Sequence, residues 1–164
     1  MNKAQYVAIT APFRKTAARK KLLQITDAVL TGAVYLAYPA LLLGLLLTRD
    51  ARLWRCFFVP FLSFVAVSLL RKRLNADRPY TVFGLEPVLS KEKSGESFPS
   101  RHIFSVFVIA CAYGTVCPAL GWALGALGVL LAVVRVVGGV HFPKDVLAGA
   151  AIGLGCGLFG FYLL

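Results

Sequence analysis

Long apolar runs separated by short polar breaks dominate the chain, and most are long enough for helices that cross a bilayer. Residues 28–47 carry no charge over twenty positions, enough for one span. Residues 56–70 are shorter, but Arg55 and Arg71 at their ends can snorkel and extend them, and Pro60 is a candidate kink. Residues 103–117 form a third run, ended by Pro118, and residues 119–137 and 146–164 complete the set. The pattern predicts an all-α, multi-pass transmembrane bundle of about five spanning helices. Residues 1–27 are basic, broken by Pro12, and too thinly apolar to span, so they are expected as an interfacial amphipathic helix beside a single membrane domain over 28–164. Gly149, Gly153 and Gly157 recur every four residues, a spacing suited to close helix packing.

Composition sharpens this picture. Of 164 residues, 59% are hydrophobic and only 15% charged, with a mean hydropathy of +0.76. That is more apolar surface than a soluble domain of this size can hide, so the excess is expected to face lipid. The net charge of +11 is concentrated near the N-terminus (Lys3, Arg14, Lys15, Arg19, Lys20, Lys21) and between Arg71 and Arg101. These charges flank apolar runs and lie on no aromatic-basic stripe, which points to anionic headgroups or phosphorylated substrates and away from nucleic acid. Cys56, Cys111, Cys117 and Cys156 all lie inside apolar runs without metal-ligand spacing, so neither zinc nor a disulfide framework is expected. No cleavable signal peptide is expected, because the first strongly apolar stretch begins too far in and runs too long.

Folding the runs back and forth brings the N-terminus, residues 71–101 and residues 138–145 to one side. The chemistry-bearing residues gather there, in three clusters: Arg71 to Pro79, Ser97 to His102, and Arg135 to Asp145. Ser100 follows Pro99 ahead of an apolar helix and is a candidate N-cap, so backbone N–H groups near Arg101 and His102 form a ready anion site. Arg78 and Arg135 add planar forks that suit phosphate oxygens. His141 and Asp145 are four residues apart at the start of the last helix, so the carboxylate can fix one imidazole tautomer. The other nitrogen can then attack phosphorus while His102 protonates the leaving oxygen. Singly, each group also has a structural use, as a cap, a snorkelling anchor or a satisfied histidine. Their convergence on one membrane face favours chemistry.

The three clusters resemble the signature of the type 2 phosphatidic acid phosphatase superfamily, K-x6-R-P, P-S-G-H and S-R-x5-H-x3-D. Arg135, His141 and Asp145 fit the last motif in spacing, Pro99, Ser100 and His102 the middle one, and Arg78-Pro79 closes the first. Several positions depart from it. Arg71 stands at the place of the leading lysine with Lys72 one position on, Arg101 replaces the middle glycine, and Val134 replaces the serine of the third motif. Family members commonly have six spans. The resemblance implies a phosphohistidine on His141, orientation by Asp145, general acid catalysis by His102, and phosphate held by Arg71 or Lys72, Arg78, Ser100, the Arg101 backbone and Arg135. It implies no metal or other cofactor, and the sequence has no carboxylate cluster to hold Mg²⁺.

The expected function is therefore an integral membrane lipid phosphatase acting on a polyprenyl diphosphate or phosphatidylglycerol phosphate. A non-enzymatic membrane transport or lipid-binding scaffold protein is the alternative. The expected partners are the bilayer and the lipid phosphate, in a plasma or inner membrane; the oligomeric state is left open. The positive-inside rule places the active face in the cytoplasm, whereas the resemblance to bacterial enzymes places it outside, which is the orientation adopted here.

Overall fold

A computed structural model describes residues 1–90 and 94–163 and shows an all-helical bundle with no strand among them. In chain order the elements are α1 (Lys3–Arg14), α2 (Ala17–Leu47), α3 (Arg52–Leu74), α4 (Pro79–Phe83), α5 (Arg101–Gly114), α6 (Pro118–Val137) and α7 (Pro143–Leu158). The last turn, Phe159–Leu163, is π-helical. Four of the helical segments are long and apolar enough to cross a membrane by length and composition. Large apolar side chains such as Leu36, Leu47 and Trp122 stay exposed on the outer surface, as lipid-facing groups do.

The basic N-terminal segment divides in two. Asn2 caps α1, its side chain accepting the Gln5 N–H at 2.9 Å. Thr16 then caps a new helix through the Arg19 N–H, and α2 continues without a break from Ala17 into the expected span. Only α1 is separate. It is seated against the far end of the chain, where the buried Tyr6 hydroxyl donates to the Gly139 carbonyl at 3.2 Å.

The expected third span is the most buried. α5 has 14 residues, about 21 Å of helix, and lies between α6 and α7, its two most extensive neighbours. Its side chains from Ile103 to Ala112 are almost continuously buried. The glycine stripe explains how α7 comes so close. A Cβ on Gly149 would stand 2.5 Å from the Ser100 carbonyl oxygen, one on Gly153 2.5 Å from that of Phe104, and one on Gly157 2.5 Å from the Cys111 Cβ. Without a hydrophobic drive between helices in lipid, such backbone proximity supplies the packing. It also brings the start of α7 against the start of α5.

Candidate active site

All three sequence clusters meet at the face where α3 ends and α5 and α7 begin. α3 stops at Asn75, which takes a left-handed conformation (φ 39°), and the loop that follows is folded back over the bundle. The Ser97 N–H donates to the Ala76 carbonyl at 2.8 Å, and the Val88 N–H to the Gly138 carbonyl at 2.9 Å. Between α6 and α7 the chain turns at Gly138-Gly139. Gly139 has φ 77°, and a Cβ there would sit 2.5 Å from the Tyr6 hydroxyl. Pro143 opens α7, a position where its missing N–H costs nothing.

His141 therefore precedes α7 instead of lying on it, which corrects the helical i,i+4 geometry expected from the sequence. Its Nδ1 stands 3.5 Å from Asp145 Oδ2, at the outer limit of a hydrogen bond. The carboxylate is held more firmly by other groups. Ser97 Oγ donates to Asp145 Oδ2 at 2.6 Å, and the Phe142 N–H donates to the same oxygen at 2.9 Å. Ser97 Oγ is also 3.5 Å from His141 Nδ1. The Asp145 carbonyl accepts the Ser100 N–H at 2.8 Å, joining the two helix starts. Nδ1 faces Asp145, which puts Nε2 on the opposite edge of the ring.

Around this unit stand three buried arginines. Arg71 donates to the Pro99 carbonyl, Arg78 to the carbonyls of Gly95 (3.3 Å) and Val140 (3.2 Å), and Arg135 Nε pairs with Asp27 Oδ1 at 2.9 Å. None of Arg71, Arg78, Arg135, Ser97, Ser100, His141 and Asp145 is more than 4% exposed. Anchoring arginines hold their heads at the water interface, and these do not. Lys72 and Arg73, by contrast, are exposed. Of the two candidates for the first motif, Arg71 is thus the one turned into the site. Among the buried charged residues described, three guanidiniums stand against a single carboxylate, Asp145. Asp27, partly buried, adds a second carboxylate through its pair with Arg135, and so dense a group of guanidiniums suits the oxygens of a phosphate.

Ser100 occupies the N-cap position of α5, but its hydroxyl makes no cap bond and is buried without a hydrogen-bond partner. The backbone N–H of Ser100 donates to the Asp145 carbonyl, so the residue is fixed by its main chain and not by a cap bond. The hydroxyl remains available to a ligand beside the first-turn amides of α5. Arg101 is exposed and lays its guanidinium 5.4 Å over the Phe64 ring, while His102, partly buried, lines a cleft with Arg101 and Thr31.

Two participants were missed in the sequence. Ser97 sits in the middle cluster, but nothing in its spacing signals a bond to a residue 48 positions on. Asp27 was detectable as the one acid in α2, because an ionisable residue within a span is a functional candidate with a partner to be found. Among the described residues no three His, Cys, Asp or Glu side chains gather as a metal site would require.

Residues 52–164 match the PAP2 superfamily. A lipid A 1-phosphatase of Rhizobium johnstonii is 33% identical over 102 residues, 59% of this chain and 41% of that protein. The bacitracin transport permease protein BcrC of Bacillus licheniformis is 31% identical over 137 residues, covering 79% of this chain and 67% of that one. An undecaprenyl-diphosphatase of Sulfolobus acidocaldarius is 28% identical over 124 residues, covering 74% and 60%. The chain thus spans about two-fifths of the length of the lipid A 1-phosphatase it matches. The crystal structure of Aquifex aeolicus LpxE superposes with a TM-score of 0.72 at 24% identity, covering 97% of this chain and 93% of that one, a likeness of fold.

Proposed function

The chain belongs to the PAP2 superfamily, and from that premise we propose that it is an integral membrane lipid phosphatase acting on a lipid phosphate or diphosphate. The observation that carries this is the buried cationic pocket of Arg71, Arg78 and Arg135 closed around a His141–Asp145–Ser97 unit. A lipid-binding scaffold has no need of a buried imidazole backed by a carboxylate, and the three buried guanidiniums suit a phosphoryl group. The names of relatives, a lipid A 1-phosphatase and an undecaprenyl-diphosphatase, support the substrate class.

In this mechanism the phosphoryl group sits among Arg71, Arg78, Arg135, the Ser100 hydroxyl and the Arg101 amide. His141 Nε2 attacks phosphorus, and the bond to the leaving oxygen breaks with its electron pair on that oxygen. Asp145, oriented by Ser97 and the Phe142 N–H, supports the positive charge that develops on the ring. His102 gives its proton to the leaving group, then takes one from the water that frees phosphate from His141. Residues 28–164 act as the phosphatase domain, with residues 1–27 as its basic flank. The active face is placed on the outer side of a plasma or inner membrane, because several of the basic residues that would argue for the inside are substrate ligands and an interfacial helix need not obey the positive-inside rule. Cysteine labelling at positions 50 and 90 from each side tests that orientation. Phosphate release by the purified protein across prenyl diphosphate, phosphatidylglycerol phosphate, phosphatidic acid and lipid A substrates tests the function. Release from none of them would overturn it.

A further inference from the structure

His141 stands before α7, so its place is set by the turn that carries it and not by a helix. Three consecutive carbonyls of that turn are held from outside it. The Gly138 carbonyl accepts the N–H groups of Val88 and Leu89 at 2.9 and 3.2 Å. The Gly139 carbonyl accepts the Tyr6 hydroxyl at 3.2 Å, and the Val140 carbonyl accepts the Arg78 guanidinium at 3.2 Å. Val88, Leu89 and Arg78 lie within the family match over residues 52–164, whereas Tyr6 comes from α1, outside it.

Tyr6 is fully buried and bears on the turn from both sides of the nucleophile. Its hydroxyl reaches Gly139, two residues before His141. Its ring lies 5.4 Å from that of Phe83, which meets Phe142, the residue after His141, edge-on at 6.0 Å. Behind Tyr6, the buried Thr10 hydroxyl donates to the Tyr6 carbonyl at 2.9 Å and accepts the Arg14 Nε–H at 3.0 Å. Arg14 in turn donates to the Glu86 carbonyl, so α1 is tied to the loop that clasps Gly138. Burial pushes the Tyr6 phenol above its ordinary value, which keeps it a donor across the working pH range. A purely interfacial helix buries its apolar face among headgroups; α1 buries a tyrosine and a threonine in the protein.

Resting on the phosphatase reading, we propose that Tyr6 is a positioning residue: docked through α1, it fixes the turn over residues 138–142 and so holds His141 in line with the phosphorus. The hydroxyl touches no reacting atom. Attack needs the nucleophile within about 3–3.5 Å of its target and aligned with it. Gly138 and Gly139 give the turn two residues without a side chain to restrict it, so that alignment must come from outside. The Tyr6 bond supplies part of it before any substrate arrives. Its loss therefore slows attack more than it weakens phosphate binding, because Arg71 and Arg135 are anchored elsewhere, on the Pro99 carbonyl and on Asp27. The N-terminal flank thus serves the reaction as well as the membrane surface.

The experiment uses the full chain in detergent. Tyr6→Phe keeps the ring against Phe83 and removes only the hydroxyl, and Lys3→Gln, at an exposed position of α1, is the control. With phosphatidic acid and nitrophenyl phosphate as substrates, Tyr6→Phe should lower kcat and the acid-quench rate of phosphoenzyme formation about 3- to 10-fold, the worth of a neutral hydrogen bond. KM, inhibition by inorganic phosphate and the thermal melt should stay close to wild type, the first two within about twofold. Lys3→Gln should match the wild type throughout. The chain has two histidines, His102 and His141, so ¹⁵N NMR of ring-labelled histidine reads the nucleophile directly. Tyr6→Phe should move the His141 signals and leave those of His102 in place. Hydrogen exchange of the wild type, which depends on no variant folding, should show α1 protected. Unchanged kcat or unmoved His141 signals in a folded Tyr6→Phe, an equal loss in Lys3→Gln, or α1 exchanging as an undocked segment would overturn the proposal. Phosphate release from no lipid by the wild type would instead overturn the phosphatase reading, while the histidine spectra would still report on Tyr6.

Discussion

Ser97→Ala removes one hydroxyl that never touches the phosphate, yet the structure expects it to slow the reaction substantially. Ser97 is fully buried and donates to Asp145 Oδ2 at 2.6 Å, the shortest bond to that carboxylate. A hydrogen bond to a charged group contributes about 1.5–3 kcal/mol, which corresponds to a ceiling of roughly 10- to 150-fold in rate. The Phe142 N–H still holds the same oxygen at 2.9 Å, so the carboxylate is loosened and not released. The expected loss therefore lies in the lower part of that range, about 10- to 30-fold. It should fall on kcat, with KM within about threefold, because Ser97 acts through Asp145 on a charge that grows only as His141 attacks. Steady-state kinetics and acid-quench measurement of phosphoenzyme formation read both quantities, and a thermal melt checks the fold. Asp145→Asn abolishes the negative charge that makes the Ser97 bond strong, so Ser97→Ala should add little in that background, with a coupling of at least about 1 kcal/mol. Full activity in Ser97→Ala, or additive losses in the double variant, would refute the positioning role.

His102→Ala should lose about 10²- to 10⁴-fold on a lipid phosphate and recover much of that on nitrophenyl phosphate, whose leaving group needs little proton help; His141→Ala should be inactive on both and form no phosphoenzyme. Asp27→Asn weakens the hold on Arg135 Nε and should raise KM and the inhibition constant for vanadate about tenfold, with Asp27→Glu restoring part of the affinity. Gly153→Ala places a methyl 2.5 Å from the Phe104 carbonyl oxygen, and should lower thermal stability by about 1–3 kcal/mol while Gly155→Ala, with nothing within 4 Å, leaves the melt unchanged. EDTA should leave turnover intact; loss on chelation with recovery on adding Mg²⁺ would count against the histidine mechanism.

The apolar runs, the basic flanks and the three motif clusters are local properties, and the sequence alone determined the helical membrane bundle and singled out His141, Asp145, His102, Arg78 and Arg135 as candidates. Hydrophobic length decides whether a segment spans, and motif spacing survives in one dimension. Three other matters depended on which groups from distant segments come together. Arg71 and Lys72 are adjacent and alike in charge, and only the rotation of α3 against the Ser97–Ser100 loop turned one inward and left the other exposed. Ser100 does stand at the N-cap of α5, but its hydroxyl makes no cap bond, and only the packed structure shows that hydroxyl buried and uncommitted. Ser97 and Asp27 reach their partners across 48 and 108 positions. No periodicity records such contacts: the Ser97 bond arises from the close approach of α5 and α7 that the small glycine surfaces permit, and the Asp27 pair from the packing of α2 on α6.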